Sequence, residues 1–156
     1  YAKNDWTIIF DSDNVIGPDY LDAFYKQVDG NGLLMDNFIY LPDFAKPYFN
    51  FKKYSGDLYN FKFKPRVEES MGNCMMNCCN YIVNKTKYLE VYQHSEEHVC
   101  SDTVWFNYLW LKSGYGFYVV PGMEYFHRVH DGSGFKQDID YNMKQAEKVR
   151  KMIMAL

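Results

Sequence analysis

The chain lacks any apolar run approaching the roughly 18–20 residues that a bilayer-spanning helix needs, so no span is expected within these 156 residues. It also lacks a basic excess: 17 Lys and Arg face 20 Asp and Glu, net −3, which argues against a nucleic-acid partner. Cysteine is sparse. Cys74, Cys78, Cys79 and Cys100 form no C-x-x-C pair and no secretory pattern, so buried thiols in a reducing, cytoplasmic setting are expected. Nothing near Tyr1 has the charged-then-apolar build of a signal or transit peptide. The strand-like Trp6-Thr7-Ile8-Ile9-Phe10 comes so early that the chain reads as an internal fragment with an upstream part.

Aromatic residues are abundant: 15 Tyr, 12 Phe and 3 Trp make up 19% of the chain, enough to fill a core and to build stacking platforms. With 47% apolar and 24% charged residues the chain can fold, and its length suits one domain over 1–156. Trp6 to Phe10 reads as a buried strand ending in Asp11-Ser12-Asp13-Asn14. Pro18 suits a first helical position, Leu21, Phe24, Tyr25 and Val28 follow at helical spacing, and Asp29-Gly30-Asn31-Gly32 stops the helix. A strand is expected at Phe38 to Leu41, loops with short strands from Pro42 to Glu69, an apolar run at Tyr81 to Val83, and a helical turn around Tyr88 to Val91. Ser101 or Asp102 can cap a helix through Lys112, closed by Gly114, and Gly116 to Val120 returns as a strand ending at Pro121. Ile139, Met143, Ala146, Val149, Ile153 and Leu156 mark one face of a last helix. Strands alternating with helices predict an α/β chain with a mixed sheet.

Asp11 and Asp13 are the first candidates for chemistry. Two residues apart at a strand end, their carboxylates would leave on one side and form a hard oxygen site for Mg²⁺ or Mn²⁺. With 13 aspartates, about one D-x-D is expected by chance, so context must decide. A second pair, Asp138 and Asp140, looks like the acidic first turn of the last helix. Only the first follows an apolar strand. The alternative for it is a solvated turn.

His127 and His130 could add imidazole to such a metal site, although in a strand residues three apart face opposite ways, leaving one as ligand. The glycines at 132 and 134 suggest a mobile lid after them. Asp102, at a helix start, is the candidate general base, with a pKa expected to be kept low by the helix dipole; a plain cap is the alternative. His94, Glu96, Glu97 and His98 stand close enough in sequence to substitute. Lys46 to Arg66 interleaves six basic residues with seven Phe or Tyr, which could stack single-stranded nucleic acid, but its acids favour a solvated loop or a wall facing an acceptor. Asn84-Lys85-Thr86 is a formal glycosylation sequon.

Taken in order, these residues resemble the second half of a GT-A glycosyltransferase of the family 2-like kind. The likeness rests on Trp6 to Asn14 with Pro18 to Leu21 behind it, on Cys100-Ser101-Asp102 through the Gly114 to Pro121 stretch, and on the late histidines. The resemblance implies a GT-A-like mixed sheet flanked by helices, with the nucleotide-binding half missing and expected upstream of Tyr1. It implies that Asp11 and Asp13 hold Mn²⁺ or Mg²⁺ on the diphosphate of a nucleotide-diphospho-sugar, a UDP-sugar first among donors, with a glycan or other hydroxyl as acceptor. Asp102 maps onto the general base of inverting members, and His127 or His130 onto a third metal ligand. Two departures stand out: the usual Glu-Asp pair is Ser101-Asp102 here, and almost none of the nucleoside pocket lies within the chain, so the fragment alone is expected to be inactive.

Two other classes compete. Ile8 to Ile16 could open a haloacid-dehalogenase-like phosphatase with Asp11 as nucleophile and Asp13 as general acid, but the later strand Phe117 to Val120 lacks the paired acids such an enzyme wants. A non-catalytic carbohydrate-binding module would keep the aromatic walls without needing a metal.

Overall fold

The computed structural model describes residues 2–46, 49–50, 52–56, 58–59, 80–98, 102–128, 130–132 and 134–156. The strands are β1 (Trp6–Ile9), β2 (Val15–Ile16), β3 (Phe38–Lys46), β4 (Phe49–Asn50), β5 (Leu58–Tyr59), β6 (Tyr81–Asn84) and β7 (Gly116–Phe126). The helices are α1 (Tyr20–Phe24), continued by a π-helical turn over Tyr25–Asp29, then α2 (Lys85–Val91), α3 (Asp102–Lys112), α4 (Gly134–Gln137) and α5 (Ile139–Met154). The chain is α/β with a mixed sheet flanked by helices. Its strand order is β1-β6-β3-β7-β2, with β4 added on β3 and β5 on β7. β6 is antiparallel to β1 and β3, and β7 is parallel to β3. β1, β3 and β7 therefore point the same way, and their carboxyl ends share one edge of the sheet with the amino end of β6.

Alternation along the strands divides the core between two faces. Trp6 and Tyr40 meet Phe24 of α1 on one face. Tyr81, next to Ile82 and so pointing the other way, stacks on Phe106 of α3, and α3 packs in turn against α5. Trp110 is fully buried and its Nε1 donates to the Gly116 carbonyl at 2.8 Å, so the end of α3 is tied to the start of β7. Burying each such large side chain contributes about 1.5–3 kcal/mol, which is what orders these short elements.

Several sequence expectations need correction. β1 is half-buried rather than buried, and lies at the sheet edge among the described residues. β3 runs on from Leu41 through Pro42 to Lys46, because its pairing with β7 resumes after a register shift between Pro42 and Phe44. Asp43 secures that irregularity, accepting the Gly122 N–H at 3.0 Å and the Ser55 hydroxyl at 2.7 Å. β7 likewise continues past Pro121 to Phe126. α1 starts at Tyr20, so Pro18 precedes the cap residue Asp19; Tyr20, Phe24 and Val28 are buried while Leu21 and Tyr25 are exposed. On α5 the buried face is Asn142, Ala146, Val149 and Ile153, and Ile139, Met143 and Leu156 lie outside. Asp138 caps α5, as its acidic start suggested. Asn84 caps α2 through Lys87 N, donates to Asp36 Oδ1 and is buried, so the sequon is closed to a transferase in the folded chain. The four cysteines and most of the 46–66 stretch lie outside the described residues.

β2 is only two residues long, yet it fixes the loop that precedes it. It pairs with Tyr125 and Phe126 of β7, and Gly17 N–H then donates to the Glu124 carbonyl at 3.1 Å. A Cβ on Gly17 would sit 2.3 Å from that carbonyl oxygen. Gly17→Ala is therefore expected to lower stability by about 1–3 kcal/mol by forcing β2 away from β7. The urea midpoint measures this, and an unchanged midpoint would show that β2 is not held there.

Candidate functional site

The loop after β1 and the segment after β7 meet at the shared carboxyl edge of the sheet, where open α/β sheets place their ligands. Asp11 and Asp13 are not in the strand, which ends at Ile9, so strand alternation does not set their directions. A turn does: Asn14 N donates to the Asp11 carbonyl at 3.1 Å. Asp11 is held at two points by Asn80, whose Oδ1 accepts the Asp11 N–H at 2.8 Å while its Nδ2 donates to Asp11 Oδ2 at 3.4 Å. Asn80 is fully buried, and its carbonyl accepts the Tyr20 hydroxyl at 3.0 Å. Asn14 Nδ2 adds a second donor to Asp11 Oδ2 at 3.2 Å.

His127 and His130 also lie beyond their strand, so the alternation that would have left only one facing the site does not apply. His130 Nε2 lies 2.8 Å from Asp13 Oδ2, both side chains partly open to solvent. His127 N donates to the Lys46 carbonyl at 2.7 Å, fixing the exit from β7. Its ring stands beside Tyr125, which packs edge-on against Phe10, so the two chain segments share an aromatic floor. Burial lowers the His127 pKa, opposed by the charges of Asp11 and Asp13, so the neutral imidazole is favoured. After the glycines the chain enters α4 at Gly134.

Asp102 stands exposed at the amino end of α3, its Oδ1 accepting the Thr103 N–H at 2.8 Å. The dipole was expected to hold its pKa low. Instead desolvation, with the negative charge of Asp11 in support, raises it from the ordinary aspartate value, and the Thr103 N–H does not offset this. The alternatives to Asp102 are engaged elsewhere. Glu97 pairs with Lys148 of α5 at 2.7 Å, which lowers its pKa, and His98 is buried in a stack on Trp105. His94 and Glu96 pair with each other at 2.9 Å.

Asp11, Asp13, Asp102, His127 and His130 are thus gathered at one end of the sheet, three carboxylates against two imidazoles, a setting that attracts a cation. Among the described residues no three or more His, Cys, Asp or Glu side chains converge closely enough to enclose a metal ion. A hard cation such as Mg²⁺ needs no such cage, since one or two carboxylates plus phosphate oxygens hold it. The oriented carboxylate of Asp11, with amide partners on one oxygen, suits that role. Asn14 and Asn80 were missed from sequence: Asn14 could have been noticed beside Asp13, but nothing marks Asn80.

A groove of about 590 Å³ opens beside this end, between α1 and the last stretch of β7, with Asp19, Lys26, Lys46 and Phe126 in its walls. Among the described residues no helix is long and apolar enough to cross a membrane. No family model matches the chain, and no curated protein or solved structure matches it either.

Proposed function

We propose that the chain forms part of a GT-A-type glycosyltransferase domain that moves a sugar from a nucleotide-diphospho-sugar, such as a UDP-sugar, to an acceptor hydroxyl. The supporting observation is the gathering of Asp11, Asp13, Asp102, His127 and His130 at the carboxyl edge of β1 and β7. The outer edge of β1, unpaired among the described residues, is where the strands of a nucleotide-binding half would add. Asp11 and Asp13 would hold Mn²⁺ or Mg²⁺, with His127 or His130 as a further ligand, and the cation would stabilise negative charge on the leaving diphosphate. Asp102 would take the proton of the acceptor hydroxyl, and its raised pKa makes it a stronger base than an ordinary surface aspartate. His127, favoured in its neutral form, keeps its ring from adding positive charge beside Asp11 and Asp13.

Calorimetry of the full-length protein against a panel of nucleotide-sugars, with and without Mn²⁺, tests this. Binding of at least one donor that is lost on adding chelator is the expected result. Carbohydrate binding indifferent to chelator would favour a binding module, and no donor binding at all would overturn the transferase.

A further inference from the structure

The side chain of Asn14 is used at both ends, and by two different parts of the chain. Its Nδ2 donates to Asp11 Oδ2 at 3.2 Å, and its Oδ1 accepts the backbone N–H of Arg128 at 2.9 Å. Arg128 lies between the two histidines, and 114 residues separate it from Asn14. One amide therefore spans from the first aspartate of the pair to the segment that carries both imidazoles. Asn80, the other partner of Asp11 Oδ2, reaches it instead from the start of β6.

We propose that Asn14 is a positioning residue that couples the Asp11 carboxylate to the histidine segment and so sets the cation affinity of the site. The inference rests on the metal-site assignment above. The chemistry is that of an outer-sphere partner. With Nδ2 and Asn80 both on Oδ2, the carboxylate is held in one rotation, and the other tether keeps His127 and His130 at a fixed distance from it. Aspartate at this position could still accept from Arg128 but could not donate to Asp11, and it would set a like charge beside it. Asn14 stands in a half-exposed turn, away from the main core, so its removal should be felt at the site more than in the fold.

The test is Mn²⁺ binding by electron paramagnetic resonance on the full-length protein, alongside thermal melts. Asn14→Ala is expected to weaken Mn²⁺ binding about 10-fold or more, the scale seen when outer-sphere partners are lost. Its melting temperature should move by a few degrees at most, and excess Mn²⁺ should recover most of kcat, a split that a purely structural role would not give. Asn14→Ser, too short to bridge both partners, carries the same expectation should the alanine variant fold poorly. Unaltered Mn²⁺ affinity in the folded variants overturns the role of Asn14 while leaving the metal site standing. Absence of Mn²⁺ binding by the unaltered protein overturns both.

Discussion

On the transferase function proposed above, Asp13→Ala is expected to abolish sugar transfer and metal-dependent donor binding while leaving the melting temperature almost unchanged. The partner lost is the partly exposed His130, and exposed ion pairs contribute about 0–1 kcal/mol. Asp11→Ala should abolish transfer equally but cost more stability. Its carboxylate accepts amide N–H groups from Asn14 and Asn80, and each such hydrogen bond contributes about 1 kcal/mol. The two substitutions thus separate function from folding: equal in activity, unequal in stability. A transfer assay and Mn²⁺ titration on both variants, with melts, measure this. Normal turnover by either variant, or full wild-type activity in excess chelator, would sink the metal assignment.

Asp102→Asn should reduce kcat/KM by about 100-fold or more, since the amide keeps most of the helix-start hydrogen bonding but cannot take a proton. The raised pKa gives a second signature. Burial is its largest cause and the charge of Asp11 adds to it, so the acid limb of the kcat/KM profile should lie above the ordinary aspartate range. The sign for stability follows from linkage. Between the ordinary and the raised pKa the folded chain binds more protons than the unfolded one, so Asp102 lowers stability as pH rises through that window. Asparagine removes this penalty, and the variant should melt at the same temperature as the parent or slightly higher at pH 7. His127 works the other way. Its pKa is lowered, so the unfolded chain binds protons more readily, and stability should fall as pH drops below the ordinary histidine value. Retained activity in Asp102→Asn with an unmoved acid limb would show that Asp102 only caps α3. Glu97 is poorly placed to replace it, tied as it is to Lys148.

The sequence by itself determined the local elements and the alternation of strand and helix. Periodicity found Phe24, Val28, Ala146, Val149 and Ile153, all buried, and the acidic start of the last helix pointed to Asp138, whose side chain accepts the Tyr141 N–H. These depend on neighbours in the chain, which a sequence displays. It placed an apolar strand before Asp11 and a helix start at Asp102, but the directions of their side chains were beyond it. Tertiary structure decided those. Asp11 is oriented by Asn80, 69 residues away, and Asp13 meets His130, 117 residues away, because β2 draws the first loop onto the end of β7. The exposure of Leu21, Tyr25, Ile139 and Met143 was decided in the same way, by which face α1 turns to the sheet and which face α5 turns to α3. Apolar residues mark what could be buried, but only the packing of distant segments fixes what is. The pKa of Asp102 makes the same point in charge: the helix start favours its ionised form, and the protein folded around it outweighs that with desolvation and a second carboxylate.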